Sequence, residues 1–390
     1  MRSINDLFQR PAVRAALAAF HERRETILSQ IIAIQQIPAP TFEEARRAAF
    51  IEERFQALGL ADVSRDALNN VYGKLAGASP GRPPVVISAH LDTVFPIETN
   101  LAVRHDGRVV YGPGLGDNST GVGGLLQVAE MIRERVLPHE SDIYFVANVG
   151  EEGLGDLCGM RAVVDKFGGE ATYIVVEGGL FGKLIHQAVG VRRYHIEVTA
   201  PGGHSWGGFG AASAIHVLGH LIVDIDGLSV PTIPKTTYNV GIIQGGTSIN
   251  TIANSAHLWL DLRSEGPAAL EQLVKSTEEI LRLRSRKYVL EGHGVEIKME
   301  QVGNRPAGGI DRQSPVVALA DAALRAVGRE DVDYIVSSTD ANVPLSRGYQ
   351  AVCLGLTHSG NSHRPDEFID TTHLPAGLGQ LMLVALAAAG

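Results

Sequence analysis

The spacing of apolar positions changes twice along the chain. In the first third, apolar residues recur at helical intervals over Arg14 to Ile34 and Glu43 to Leu58, then gather into short continuous runs at Val85 to Ser88, Ile143 to Val149 and Tyr173 to Val176. Such runs, bounded by turn residues, read as strands buried on both faces, as in a mostly parallel sheet covered by helices. Helical stretches near Thr120 to Arg135 and Gly159 to Lys166 fill the gaps between them. At the head of the second helix, Thr41-Phe42-Glu43-Glu44 has the form of a capping box, in which Thr41 and Glu44 are expected to satisfy amides of the first turn.

After about Leu184 the pattern alternates. Arg192 to Thr199 reads as a strand, Ala211 to Ile225 as a helix, Tyr238 to Gln244 and His257 to Arg263 as strands, Ala268 to Leu283 as a helix and Val295 to Gln301 as a strand. This β-α-β-β-α-β order is that of a ferredoxin-like sandwich. The earlier pattern then resumes with helix Pro315 to Val327, strands Tyr334 to Ser337 and Ala351 to Leu356, and a closing helix to Ala389. The expected architecture is α/β: a mostly parallel mixed sheet with helices on both faces, formed by residues 1–188 and 305–390. An α+β ferredoxin-like domain, 189–304, is inserted into it.

Composition then narrows the function. A chain of 390 residues, 45% hydrophobic, exceeds one typical domain and can bury a large core. A net charge of -9 without any block of Lys or Arg disfavours nucleic-acid and membrane-surface partners and leaves small-molecule chemistry. The two cysteines, Cys158 and Cys353, have no metal-type spacing and provide no disulfide framework, which suits a reducing, cytoplasmic setting. The longest apolar run, Leu381 to Ala389, falls well short of the roughly 20 residues that span a bilayer, and Met1 to Phe20 has no uninterrupted apolar region of signal-peptide type.

Acids and imidazoles gather where the buried strands end. His90 and Asp92 close the Val85 strand, Asp117 lies in Gly-Pro-Gly-Leu-Gly-Asp-Asn, Glu151 and Glu152 follow the Ile143 strand, Glu177 ends the Tyr173 strand, and His363 lies in His-Ser-Gly-Asn-Ser-His-Arg-Pro. In an open α/β sheet these ends are where sites assemble. His90, Asp117, Glu152, Glu177 and His363 offer two nitrogen and three carboxylate ligand groups, a mixture that suits two zinc ions, with cobalt or manganese as alternatives. Asp92, two residues from His90, has the spacing to accept a hydrogen bond from its ring, and Glu151, beside a ligand, is placed to move a proton. A competing pattern is Gly203-His-Ser-Trp-Gly207, which with Asp340 and His363 follows the order of a serine-esterase triad using Ser205. That reading leaves Asp117, Glu151, Glu152 and Glu177 without a role. The glycines around Gly112 lack the complete dinucleotide-binding spacing.

Taken in order, Ser-Ala-His90-Leu-Asp92-Thr-Val, Gly-Asp117-Asn-Ser-Thr-Gly, Gly-Glu151-Glu152-Gly, Val-Glu177-Gly, Gly-Gly-His204-Ser and His363-Arg-Pro-Asp resemble the M20 metallopeptidases over nearly the whole chain. The resemblance implies that His90, Asp117 and Glu177 hold one ion, that Asp117, Glu152 and His363 hold the other, and that Asp117 bridges them. It gives Asp92 the task of orienting His90, makes Glu151 the general base, and implies a cis peptide after Asp117. His204 is expected to reach the partner subunit's site and stabilise the oxyanion, while Asn250, Arg263 and Asn342 contact substrate. The implied protein is a homodimer paired through the inserted lid domain by the helix Ala211 to Ile225 and an adjacent edge strand. Its expected reaction is hydrolysis of amide bonds in small peptides, as an exopeptidase, by a metal-bridging hydroxide; deacylation of N-acyl amino acids is the alternative.

Overall fold

The computed structural model describes residues 2–390, which form two compact units: the chain up to Ala188 together with Gly309–Gly390, and Val189–Gly308. In the first unit, strands Val85–His90, Ile143–Asn148 and Thr172–Glu177 form a parallel core, with Val85–His90 in the middle. Ala351–Gly355 continues it in parallel beside Thr172–Glu177. Beyond the other edge, Val71–Leu75 and Ala61–Arg65 are added antiparallel. Lys183–Ala188 lies antiparallel to Ala351–Gly355 and parallel to Asp333–Ser337, which makes the sheet mixed.

The continuous apolar runs behave as strands buried on both faces. Val85, Ile87 and Ala89 belong to one core with residues of helices Arg24–Gln35, Thr120–Glu134 and Leu374–Ala389, whereas Val86 joins Val146, Tyr173 and Val175 under helix Cys158–Phe167. One side of each strand therefore feeds each layer.

The second unit is a four-stranded antiparallel sheet, with Gly190–Thr199 and Ser255–Ser264 in the centre and Thr236–Gly245 and Glu296–Arg305 at the edges. Helices Ala214–Asp226 and Pro267–Leu290 bury Leu218, Leu221, Leu270 and Leu273 against Ile196, Val198, Leu258 and Leu260. Pro267 stands at the first helical position, where its missing N–H costs nothing. Because the last strand runs to Arg305, the second unit extends to 308 rather than 304.

Two local expectations fail. The helical stretch 14–34 is two helices, Pro11–Glu22 and Arg24–Gln35, separated at Arg23 without a Gly or Pro to announce the break. Each half buries its own apolar set, Val13, Ala16, Ala19 and Phe20 in one and Ile27, Leu28, Ile31 and Ile34 in the other. The capping box does not form either: the helix begins at Ala45, with no side-chain cap, because Thr41 and Glu44 are engaged elsewhere. Among the described residues, no helix is long and apolar enough to cross a membrane.

Candidate metal centre and active site

Strand register sets the site. His90 pairs with Asn148 and Glu177 pairs with Gly355 in parallel ladders, so His90, Glu177 and the turn after Asn148 arrive at the same edge of the sheet. Asp117 approaches from the loop before helix Thr120–Glu134. Its two oxygens face different imidazoles: Oδ1 lies 3.1 Å from His90 Nε2 and Oδ2 lies 3.2 Å from His363 Nε2. His363 Nε2 is also 3.1 Å from Glu152 Oε1, and His90 Nε2 is 3.8 Å from Glu177 Oε2. Two groups result, His90–Asp117–Glu177 and Asp117–Glu152–His363, and within each the ligand atoms lie within 4.8 Å of one another.

This donor set fits divalent metal. Ligands about 2.0 Å from a tetrahedral zinc are roughly 3.3 Å apart, close to the contacts made by Asp117. Imidazole nitrogen with carboxylate oxygen also suits cobalt or manganese. The protonation energetics point the same way. Hydrogen bonds donated to Asp117 and Glu152 raise the His363 imidazole to about 10, and His90 is raised against its burial by Asp117, Asp92 and Glu177. Against its own burial, Asp117 is held well below the usual carboxylate range by His363 and His90. Burial raises Glu177 to about 7, with His90 opposing. The clustered carboxylates thus demand positive charge, which protons or cations can supply.

Hydrogen bonds brace His90 and the loops that carry Asp117 and Glu152. His90 Nδ1 lies 3.1 Å from the Asp92 carbonyl oxygen and 3.5 Å from its Oδ1, which turns Nε2 toward Asp117. The Asp92 carboxylate has a wider task than orienting His90: Oδ1 accepts the amide of Glu151 at 3.0 Å, and Oδ2 accepts the amide of Glu152 at 2.8 Å. The Asp117–Asn118 peptide is cis. Asn118 Nδ2 donates to the Val176 carbonyl at 2.8 Å and its Oδ1 accepts the amide of Gly178 at 2.9 Å, tying the Asp117 loop to the strand end that carries Glu177.

Glu367 is equally committed. Its Oε1 accepts the amides of Gly116 and Asp117 at 2.7 and 3.0 Å, and its Oε2 accepts that of Gly114 at 3.1 Å. Burial raises this carboxyl to about 7, with the Asp117 charge adding to it and the three backbone amides opposing. Sequence reasoning missed Glu367 and Asn118; the available signals were a position four residues after His363 and direct adjacency to Asp117.

The model of peptidase family M20/M25/M40 matches residues 86–387. The chain belongs to this family. It is 24% identical over 352 residues to Carboxypeptidase G2 of Pseudomonas sp. (strain RS-16), covering 86% of this chain and 79% of that protein. A tripeptidase from Staphylococcus aureus shares its fold with a TM-score of 0.78 at 23% identity, over 94% of this chain and 98% of that one. A dinuclear metal-binding M20 peptidase from Bacillus subtilis does so at 0.69 and 17% identity, over 95% and 99%. The protein is an M20 metallo-hydrolase, a peptidase or amidohydrolase.

The other expected site residues of this M20 hydrolase are placed as follows. Asn342 is fully buried, and its Oδ1 accepts the amide of Thr339 at 2.9 Å, which braces the turn between them. In the inserted unit, His204 is exposed, with Nδ1 accepting the amides of Trp206 and Gly207 at 3.2 and 3.3 Å. Asn250 is exposed and its Oδ1 accepts the Ser248 hydroxyl. Arg263 lies within a strand, its Nε 2.6 Å from Asp261 Oδ2, and Arg193 Nε approaches the other Asp261 oxygen at 3.0 Å. The esterase triad has no support: His363 Nε2 faces Asp117 and Glu152, while Asp340 Oδ2 accepts the side-chain Nδ2 of Asn148 at 2.7 Å.

Proposed function

We propose that this chain hydrolyses the amide bonds of small peptides as an exopeptidase with two zinc ions, His90, Asp117 and Glu177 holding one and Asp117, Glu152 and His363 the other. The observation that carries this reading is the sharing of Asp117, which offers one oxygen to each of two imidazoles. When bound, the ions supply Lewis acidity that polarises the scissile carbonyl and acidifies water.

The protein's own groups manage protons and orientation. Glu151 is buried, adjacent in sequence to the ligand Glu152, and its amide is anchored on Asp92; it stands outside both ligand groups and is left to act as the base. It takes a proton from the attacking water and delivers it to the leaving amine. In this reading His204 of one chain stabilises the oxyanion at its partner's site, within a homodimer paired through the inserted units. Arg263 and Asn250 receive the substrate's terminal carboxylate; Arg263 must exchange Asp261 for it, a bidentate pairing that its planar fork suits. The unpaired Cys158 and Cys353 accord with a cytoplasmic location.

The test is hydrolysis of a panel of dipeptides, tripeptides and N-acyl amino acids, with and without a chelator and zinc add-back. Chelator-sensitive release of a terminal residue from the peptides is expected. Turnover of N-acyl amino acids alone would make the protein a deacylase, and chelator-resistant turnover blocked by a serine-directed inhibitor would overturn the metal reading.

A further inference from the structure

The segment from Gln35 to Arg47 precedes the residues matched by the family model, yet it is hydrogen-bonded directly to the ends of the site strands. The Thr41 hydroxyl donates to Asp92 Oδ2 at 2.9 Å, the oxygen that also accepts the Glu152 amide. Glu44 Oε1 accepts the amide of Gly150 at 3.1 Å, one residue before Glu151. The Arg47 guanidinium, fully buried, donates through Nη1 to the Leu91 carbonyl at 2.7 Å and through Nε to the Ile37 carbonyl at 2.9 Å. Pro40 and Thr93 pair as a bridge, and the Thr93 amide donates to Ala39. Between Thr41 and Glu44, Phe42 has φ 75 and stays largely exposed, an uncommon backbone for a bulky residue.

Electrostatics favours a single unit. Asp92 and Glu44 are both buried, and such carboxylates persist only with hydrogen bonds and an opposing charge. Arg47 is the buried cation that acts on both. A capping box would have served only the helix start; here Glu44 holds the turn that carries Glu151 and Glu152 directly, and Thr41 holds Asp92, which accepts the amides of both.

We propose that Thr41, Glu44 and Arg47 are positioning residues that clamp Asp92 and the Gly150–Glu152 turn, and thereby hold Glu151 and Glu152 in their working places. This rests on the metal-hydrolase reading above. Loss of such outer partners of metal ligands typically weakens metal binding or turnover by about 10–100-fold.

The experiment titrates metal-stripped full-length protein with Co2+ alone, following the visible absorption of the bound ion, for the wild type, Thr41→Val, Thr41→Ser and Arg47→Lys, with thermal melting of each metal-free protein alongside. Thr41→Val, nearly isosteric, should weaken Co2+ binding by about tenfold and alter the spectrum while melting close to the wild type, and Thr41→Ser should restore both. Arg47→Lys keeps the charge but loses the fork, and should reproduce the Co2+ defect. The proposal is overturned if Thr41→Val and Arg47→Lys bind Co2+ as the wild type does, whatever their melting temperatures, or if Thr41→Ser fails to rescue. Failure of the underlying reading looks different: the wild type itself would bind no Co2+ or hydrolyse nothing in the panel. Where a panel substrate is turned over, Thr41→Val should lower kcat more than it changes KM.

Discussion

Asp92 accepts the amides of both Glu151 and Glu152, and the Glu152 carboxylate lies 3.1 Å from His363 Nε2. The proposed roles of the two acids, proton carrier for Glu151 and ligand for Glu152, make different predictions. Glu151→Gln should keep its metal and its fold while losing about 10²–10⁴-fold in kcat, the usual share of general acid–base action. Glu152→Gln should instead lower metal content, so paired measurements of bound metal and turnover check the assignment; equal metal loss in both would reverse it. His363 supplies a pH dependence with a definite sign. Its imidazole is raised to about 10 by Asp117 and Glu152, so across the neutral range a proton must leave before a cation takes its place. Metal affinity should therefore rise with pH, by about tenfold per unit for each proton displaced, from pH 6 to 9. Titrations at several pH values showing constant affinity would contradict it.

At the scale of elements, the strands around the site were legible because they are continuous apolar runs, and Val85–His90, Ile143–Asn148 and Thr172–Glu177 each stand within two residues of the expected bounds. Ala61–Arg65 was missed because it is short and largely exposed, without a buried stripe to reveal it. The T-x-x-E pattern at 41–44 misled for a different reason: hydrogen bonds to residues about fifty and a hundred positions away took the side chains that a cap requires. One element carries a prediction about assembly. Thr236–Gly245 is an edge strand, with Ile242 and Ile243 exposed by 49% and 54%, and the nearby helix Ala214–Asp226 exposes Val223 by 70%. An apolar, unpaired edge is a template for association. The protein should be dimeric by light scattering, and Ile243→Lys should make it monomeric and poorly active if His204 works across the dimer. A dimer unaffected by this substitution would rule out the edge as the interface; a fully active monomer would place His204 outside the partner's site.

Across the whole molecule, the clustering of candidate ligands was readable where a residue sits beside a strand end, as His90, Glu152 and Glu177 do. A role was not readable where it depends on distant partners. Glu367 serves amides some 250 positions earlier, and Arg47 meets Leu91 across 44 positions of sequence. Arg263 and Asn342 were assigned to substrate by motif position alone; in the fold Arg263 pairs with Asp261 and Asn342 accepts the Thr339 amide, contacts between residues two or three positions apart that motif position does not reveal. The central claim is that two ions share Asp117. It is tested most directly by elemental analysis of metal per chain in the wild type, Glu177→Ala, His363→Ala and Asp117→Ala, each shown to be folded by circular dichroism. The account predicts two ions for the wild type, one for each of the first two variants and none for Asp117→Ala. A folded Asp117→Ala protein that still holds a tightly bound ion would contradict it.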